Sequence, residues 1–255
     1  MSNGNTTSQS DVRKTVLTIM QSAKELYILM SQATRLPYVT CDPETYDDEV
    51  LMFESMEDAR KKAEDLKSER IPIDVQKIVN SQFLGCLASL YPIGVNCVLL
   101  NQGTDREMRV QLSDLVNRIV EEKLPEGQKR VENPALHLTA IYYKQMMAKG
   151  AGPDTAEERR QLEEEMMAHF SKAEFILPIS EEKEIPLLKS GDGRLCQPLF
   201  TDLAEFLKFG DKEMKTSVIK AQEIGKALNG NAEGLVINPF GVSIQLQVNK
   251  SAKNG

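Results

Sequence analysis

Two histidines, four cysteines and several acidic runs are the residues of this 255-residue chain that could support nucleophilic, acid–base or metal chemistry. The cysteines are Cys41, Cys86, Cys97 and Cys196, and none falls in a C-x-x-C pair. That spacing predicts neither a zinc ribbon nor a dithiol redox motif. Cys86 and Cys97 lie in apolar runs and read as small buried residues, which leaves Cys41 and Cys196 as the candidates for thiol chemistry. His137 and His169 have no second ligand three or four residues further on. A metal centre needs three or four convergent ligands, and a Cys–His pair needs its base within hydrogen-bond reach of the thiol. The sequence therefore predicts no catalytic, metal or cofactor residue.

Other polar motifs have simpler readings. Glu157, Glu158 and Glu163–Glu165 alternate with Arg159, Arg160 and Lys172, as on a solvated helix face. Asp42, Glu44, Asp47, Asp48 and Glu49 form a denser acidic cluster that could attract a cation or basic partner; its default reading is a mobile loop. Gly191–Gly193 is a turn, since it lacks the lysine and hydroxyl ending of a phosphate loop. The most distinctive tetrapeptide is Asn238, Pro239, Phe240 and Gly241. It could be a binding tip presenting Asn238 and an exposed Phe240, or a plain turn, because Asn, Pro and Gly all favour turn geometry.

The totals exclude some partners. A net charge of −7 and a pI near 5.1 argue against nucleic acid, whose binders neutralise phosphates with a basic stripe. Arg60–Lys62 and Lys129–Arg130 sit beside acids, and the same argument disfavours an anionic membrane surface. No run approaches the ~20 apolar residues of a membrane-spanning helix. Met1–Ser10 has neither a basic start nor an apolar stretch, so it is predicted to be a disordered tail in a cytoplasmic protein. With 41% hydrophobic residues, only 5% aromatics and 11 Met, the core should be mostly aliphatic.

The elements that must position these residues recur. Glu25–Ser31 (ELYILMS) matches Glu174–Ser180 (EFILPIS), and Arg35–Val39 (RLPYV) matches Glu184–Leu188 (EIPLL). Leu51–Ser55 (LMFES) then matches Pro198–Asp202 (PLFTD), and Ser81–Leu87 (SQFLGCL) matches Ala221–Ala227 (AQEIGKA). Finally Val98–Asn101 (VLLN) matches Leu235–Asn238 (LVIN). Five blocks in one order predict a tandem duplication.

Each copy reads as a lead helix, two apolar strands, a third strand running into a capped helix, a fourth strand into a glycine-bearing helix, and a closing hairpin. Ser55 with Asp58, and Asp202 with Glu205, have the capping-box spacing. Gly85 and Gly225 inside helices predict close packing against a strand. A connector carries helices predicted at Leu112–Lys123, from an Asn133 N-cap to about Lys149, and from Thr155 to Ala173. The fold class is α+β, mixed α/β. After a tail over 1–10, the domains are module 1 over 11–123 and module 2 over 124–250, with lead helices in 133–173. Each is a small mixed sheet with flanking helices.

The second copy resembles the N-terminal domain of the SseB family. Phe175–Ile179, Gln197–Asp202 before a short helix, and Gly234–Gly241 carry the likeness, with Asn133–Leu136 and the helices that follow. It covers about residues 133–248. The first copy, with Asn101–Gly103 in place of Asn238–Gly241, is linked mainly through the repeat. The resemblance implies a bacterial cytoplasmic α/β domain and supplies no catalytic residues. The resulting expectation is a non-enzymatic module binding a protein or a small ligand. The alternatives are an enzyme with a thiol in a pocket between modules, and a scaffold or chaperone accessory to secretion.

Overall fold

Short aliphatic runs alternating with capped helices produce an α+β fold, seen in a computed structural model that describes residues 9–117, 129–150, 155–180, 184–210 and 214–247. The chain forms two units, Met1–Glu122 with Gln145–Gly150, and Lys123–Lys144 with Ala151–Gly255.

Unit 1 runs α1 (Gln9–Ser22), β1 (Glu25–Ser31), β2 (Leu36–Pro37), β3 (Val39–Cys41), β4 (Asp48–Phe53), α2 (Met56–Ser68), β5 (Ile73–Val79), α3 (Asn80–Ala88), β6 (Cys97–Leu100), β7 (Met108–Gln111) and α4 (Leu112–Leu115). β1 lies antiparallel to β5 and β4, β4 parallel to β6, and β6 antiparallel to β7. The short β2 and β3 pair with β1 and β4. Gln9 and Ser10, expected in the tail, are already helical.

The described part of unit 2 begins with α5 (Pro134–Lys149), the last residues of which belong to unit 1. It continues with α6 (Thr155–Phe170), β8 (Glu174–Ile179), β9 (Leu188–Lys189), β10 (Leu195–Leu199), α7 (Leu203–Leu207), β11 (Lys215–Lys220), a 3-10 helix (Ala221–Lys226), β12 (Gly234–Ile237) and β13 (Ile244–Gln247). β8 is antiparallel to β11 and meets β10 through one bridge, Ile176 to Phe200. β10 is parallel to β12, β12 antiparallel to β13, and β9 antiparallel to β10.

The main strands of the two units pair in a similar order, as one seven-stranded sheet in unit 1 and as four- and two-stranded sheets joined by one bridge in unit 2. The registers of β4–β6 and β10–β12 agree with the matched sequence blocks, whereas β5 and β11 are offset from them by one residue. Ile28 faces Gln76 where Leu177 faces Ser217. Val50 faces Val98 where Gln197 faces Leu235, and Val98 faces Val110 where Leu235 faces Leu246. A parallel pair needs a long crossover, which α2, β5 and α3 provide in unit 1 and α7, β11 and the 3-10 helix in unit 2.

The helix packed over the sheet differs between units. In unit 1, Ala59, Ala63 and Leu66 of α2 pack on Leu29, Leu51, Phe53 and Leu99. In unit 2 α7 is one turn long, and Phe206 joins Val131, Ile176 and Phe200 in the core. Rings fill the space a longer helix would occupy: Phe200 meets Phe206 edge-on at 5.6 Å and Phe209 at 5.5 Å, and Phe209 stacks on Phe240 at 6.2 Å.

Several local expectations change. Ser55 and Asp202 do cap their helices, accepting from the amides of Asp58 at 3.3 Å and Glu205 at 2.9 Å. The answering carboxylates turn elsewhere, Asp58 to Arg106 at 3.6 Å and Glu205 to Lys208 at 2.5 Å. In both cases the carboxylate pairs with a cation and not with the N-cap amide. The helix expected over Leu112–Lys123 stops at Leu115, because Val116 is extended at φ −134° and ψ 120°; residues 118–123 lie outside the described residues. Of the second apolar strand expected in the second copy, only Leu188–Lys189 forms. Asn133 precedes α5 as expected, but its side chain bridges strands instead of capping: it donates to the carbonyls of Glu174 and Thr201 at 2.6 and 2.8 Å.

Close packing at Gly85 and Gly225 is overturned. Both are exposed, and a Cβ at either would have no neighbour within 4 Å. Gly85 therefore only weakens α3. Gly85→Ala is expected to stabilise unit 1 by up to about 1 kcal/mol in chemical denaturation. A loss of stability would restore the packing role.

Candidate functional site

Asn238 is not presented to solvent; it bolts the end of the parallel pair. At φ +47° it stands in the left-handed region that Asn tolerates, and it is fully buried. Its amide donates to the Leu199 carbonyl at 2.9 Å and its Oδ1 accepts from the Thr201 amide at 3.0 Å. Asn101 of unit 1 repeats this. At φ +56° it donates to the Met52 carbonyl at 2.8 Å and accepts from the Glu54 amide at 3.0 Å. In each unit one asparagine satisfies the backbone where the chain leaves its strand for a helix.

The rest of the tetrapeptide is a tight turn, in which Gly241 and Ser243 both donate to the Asn238 carbonyl at 2.9 Å. Gly241 is buried against Glu205, and a Cβ there would lie 2.6 Å from its Oε2. Only Phe240, 39% exposed at the end of the aromatic stack, faces outward. Pro239 is half-buried between them.

His137, in the first turn of α5, closes a polar cluster that local spacing could not reveal. The ring is fully buried, with Nδ1 3.3 Å from both Asp202 Oδ2 and Thr201 Oγ1. Nε2 lies 3.4 Å from Asn238 Nδ2 and 3.9 Å from Glu205 Oε1. The Thr201 hydroxyl donates to Asp202 at 2.8 Å and accepts from Asn238 at 2.8 Å. Hydroxyl, imidazole and carboxylate are the ingredients of an activated nucleophile. Here the hydroxyl proton is directed at Asp202, and complete burial gives a substrate no approach. The chemistry available is structural: a polar core tying α5, α7 and the ends of β10 and β12 together.

In unit 1 the acidic loop is organised, not loose. Asp42 accepts from the amides of Thr45 and Glu44 at 2.7 and 2.8 Å and from Arg109 at 2.6 Å. Those amide bonds, with the Arg109 charge, hold its carboxyl below the usual value despite partial desolvation. Glu49 is buried against Arg109, and Asp47 accepts from Asn96 at 3.0 Å and Gln111 at 2.9 Å. Cys41 is exposed, but desolvation and then the neighbouring carboxylates of Asp48 and Asp42 raise its pKa. An activated thiol requires the opposite. Cys97 is pushed up to about 12 by burial and Glu49, and Cys196 is buried. Among the described residues no group of three or more His, Cys, Asp or Glu could hold a metal ion. None of their helices is long and apolar enough to cross a membrane.

Unit 2 carries a cleft of about 570 Å³ between α5 (Tyr143, Lys144), α6 (Glu163, Met166, Met167) and Ser243–Leu246. Its apolar wall is Met166, Met167, Ile244 and Leu246. The Tyr143 hydroxyl donates to Glu163 at 3.2 Å. Lys144 is half-buried and has no ion pair or hydrogen-bond partner among the described residues; burial lowers its pKa. The sequence reading missed this site, because its walls run from Tyr143 to Leu246 and only the fold joins them.

The polar core makes a pH-dependent contribution. Burial pushes the Asp202 carboxyl upward, but the His137 hydrogen bond and charge, with the Glu205 amide and Thr201 hydroxyl, hold it below its ordinary 3.8. Because folding lowers this pKa, the stabilisation is complete above the ordinary value and is lost as pH falls through the folded one. Thermal unfolding of Asp202→Asn should start lower than wild type at neutral pH and lose less on acidification below about pH 4. Parallel pH profiles would contradict this role.

Over residues 154–250 the sequence matches the family model described as SseB protein N-terminal domain. No curated protein matches the chain. Among solved structures, Tic22 from Plasmodium falciparum is similar at 11% identity and a TM-score of 0.22, covering 87% of this chain and 90% of that one. Tic22 from Anabaena, titled as protein transport, is similar at 11% identity and a TM-score of 0.22, covering 90% and 92%. Likeness at that score carries no argument. The stretch from α6 to β13 is thus similar to the SseB N-terminal domain, within an α+β chain.

Proposed function

We propose that this protein is a non-enzymatic, cytoplasmic binding protein made of two SseB-like modules that arose by duplication. The cleft of unit 2 is where it takes a protein segment or a small ligand, in a regulatory or accessory role. The shared strand pairing and the equivalent Asn101 and Asn238 support the duplication. The observation that carries the binding reading is Lys144, without a partner among the described residues, beside an apolar wall of methionine and aliphatic side chains. A lone cation at the mouth of an apolar cleft selects ligands with an apolar body and one anionic group, and methionine adapts to varied shapes. Net charge of −7 supports a partner other than nucleic acid or an anionic membrane. The raised pKa of Cys41 and the burial of Cys196 weigh against thiol catalysis.

Anilinonaphthalene sulfonate is an amphipathic anion that tests this reading. It is expected to bind the folded protein at one site with enhanced emission. Lys144→Glu should weaken it about tenfold, or 1.4 kcal/mol, with an unchanged Tm. Absence of binding, or equal binding to the variant, would contradict the proposal.

A further inference from the structure

The cleft touches four residues in a row, Ser243–Leu246. Successive side chains of a strand point to opposite faces, so a cavity that meets consecutive residues lies along the strand's edge. β13 pairs with β12 on one side, and among the described residues nothing pairs with its other side.

Backbone alternation identifies the free groups. Phe200 exchanges both backbone bonds with Ile176, at 2.9 and 3.1 Å, so its neighbour Leu199 turns towards β12 and accepts from Asn238. Asn238 and, two residues back, Val236 therefore face β10, and Leu235 and Ile237 face β13. Their partners Leu246 and Ile244 direct their N–H and C=O groups at β12. Gln245, between them, turns its amide and carbonyl towards the open side.

Natural edges are usually blunted by charge, proline or a covering element. β13 reads IQLQ, with neither a charge nor a proline. Its counterpart β7 in unit 1 has α1 packed against it, with Arg13 of α1 paired to Asp114 at 3.5 Å just beyond. In unit 2 the cleft stands between α6 and β13 instead.

We propose that an extended peptide adds to β13 as a further strand. It bonds to the Gln245 backbone, packs apolar side chains on Met166, Met167 and Leu246, and sets a carboxylate against Lys144. The occupant is an extended peptide because the open edge presents the amide and carbonyl of Gln245 side by side, and one residue of an added strand answers both. It is acidic at one position because Lys144 has no partner among the described residues. This deepens the reading of the cleft as a binding site and depends on it.

Affinity selection of a synthetic random nonapeptide mixture on the full chain, read by mass spectrometry, tests the proposal. Enriched peptides should carry apolar residues at every second position and an acidic residue or free C-terminus. Their resynthesised, labelled forms should lose at least tenfold in affinity to Gln245→Pro and to Lys144→Glu. Gln245→Pro deletes an amide that makes no bond to β12, and proline is tolerated on strand edges, so its circular dichroism and Tm should match wild type. N-methylation of alternate peptide amides should abolish binding in one register only. C-terminal amidation should abolish it only where the acid is terminal. If no peptide is enriched over Gln245→Pro while the dye still binds, strand addition is wrong and the cleft reading survives. If the dye fails too, both are wrong. A wild-type dimer in sedimentation that Gln245→Pro converts to monomer would make the occupant a second copy and overturn the peptide.

Discussion

The parallel pair at the centre of each unit, closed by a left-handed asparagine, is the constraint on which the rest of the structure depends. Parallel neighbours require the chain to leave one strand, cross over and return beside it in the same direction. At the departure point a strand residue becomes a helix cap, and one backbone amide, of Glu54 or Thr201, loses its ladder partner. The side chain at the end of the neighbouring strand supplies the missing acceptor. Asn suits the position because it enters the left-handed region at modest cost while keeping both an acceptor and a donor. The donor is used in both units: Nδ2 of Asn101 reaches the Glu54 carboxylate, and Nδ2 of Asn238 reaches Thr201 and the His137 ring.

From this bolt follow the direction of the closing hairpin and the character of its outer edge. Asn238 turns the chain back as β13, and its amide sets which residues of β12 face inward and which face the hairpin partner. The fold thereby turns the backbone of Gln245 away from β12. The units then diverge in what surrounds this frame. A long α2 covers the sheet in unit 1 with small residues, whereas unit 2 combines one helical turn with a chain of phenylalanines. The Met-lined cleft beside β13 belongs to this second solution.

Much of the fold was legible because it is locally encoded. Aliphatic runs marked the strands, and Ser55 and Asp202 announced their helices. The misreadings concern partners distant in sequence. Asn238 looked like a turn residue, and it is one, but its structural role comes from Thr201, 37 residues away, and His137, 101 residues away. The acidic loop looked mobile because Arg109, which neutralises Asp42 and Glu49, lies 67 and 60 positions later. Gly85 and Gly225 invited a packing argument that the open space around both removes. Of the cleft, only the uncharged IQLQ strand left a trace in the sequence, since whether a strand is an edge is a property of topology.

The free edge of β13 is the point at which fold and proposed role meet, and native-state hydrogen exchange at neutral pH tests it most directly. The amides of Ile244 and Leu246 should be protected to the same degree as those of β10 and β12, with Gln245 between them exchanging orders of magnitude faster. Equal protection of all three amides would show that the edge is covered, and equal exposure would show that the hairpin is not formed as described.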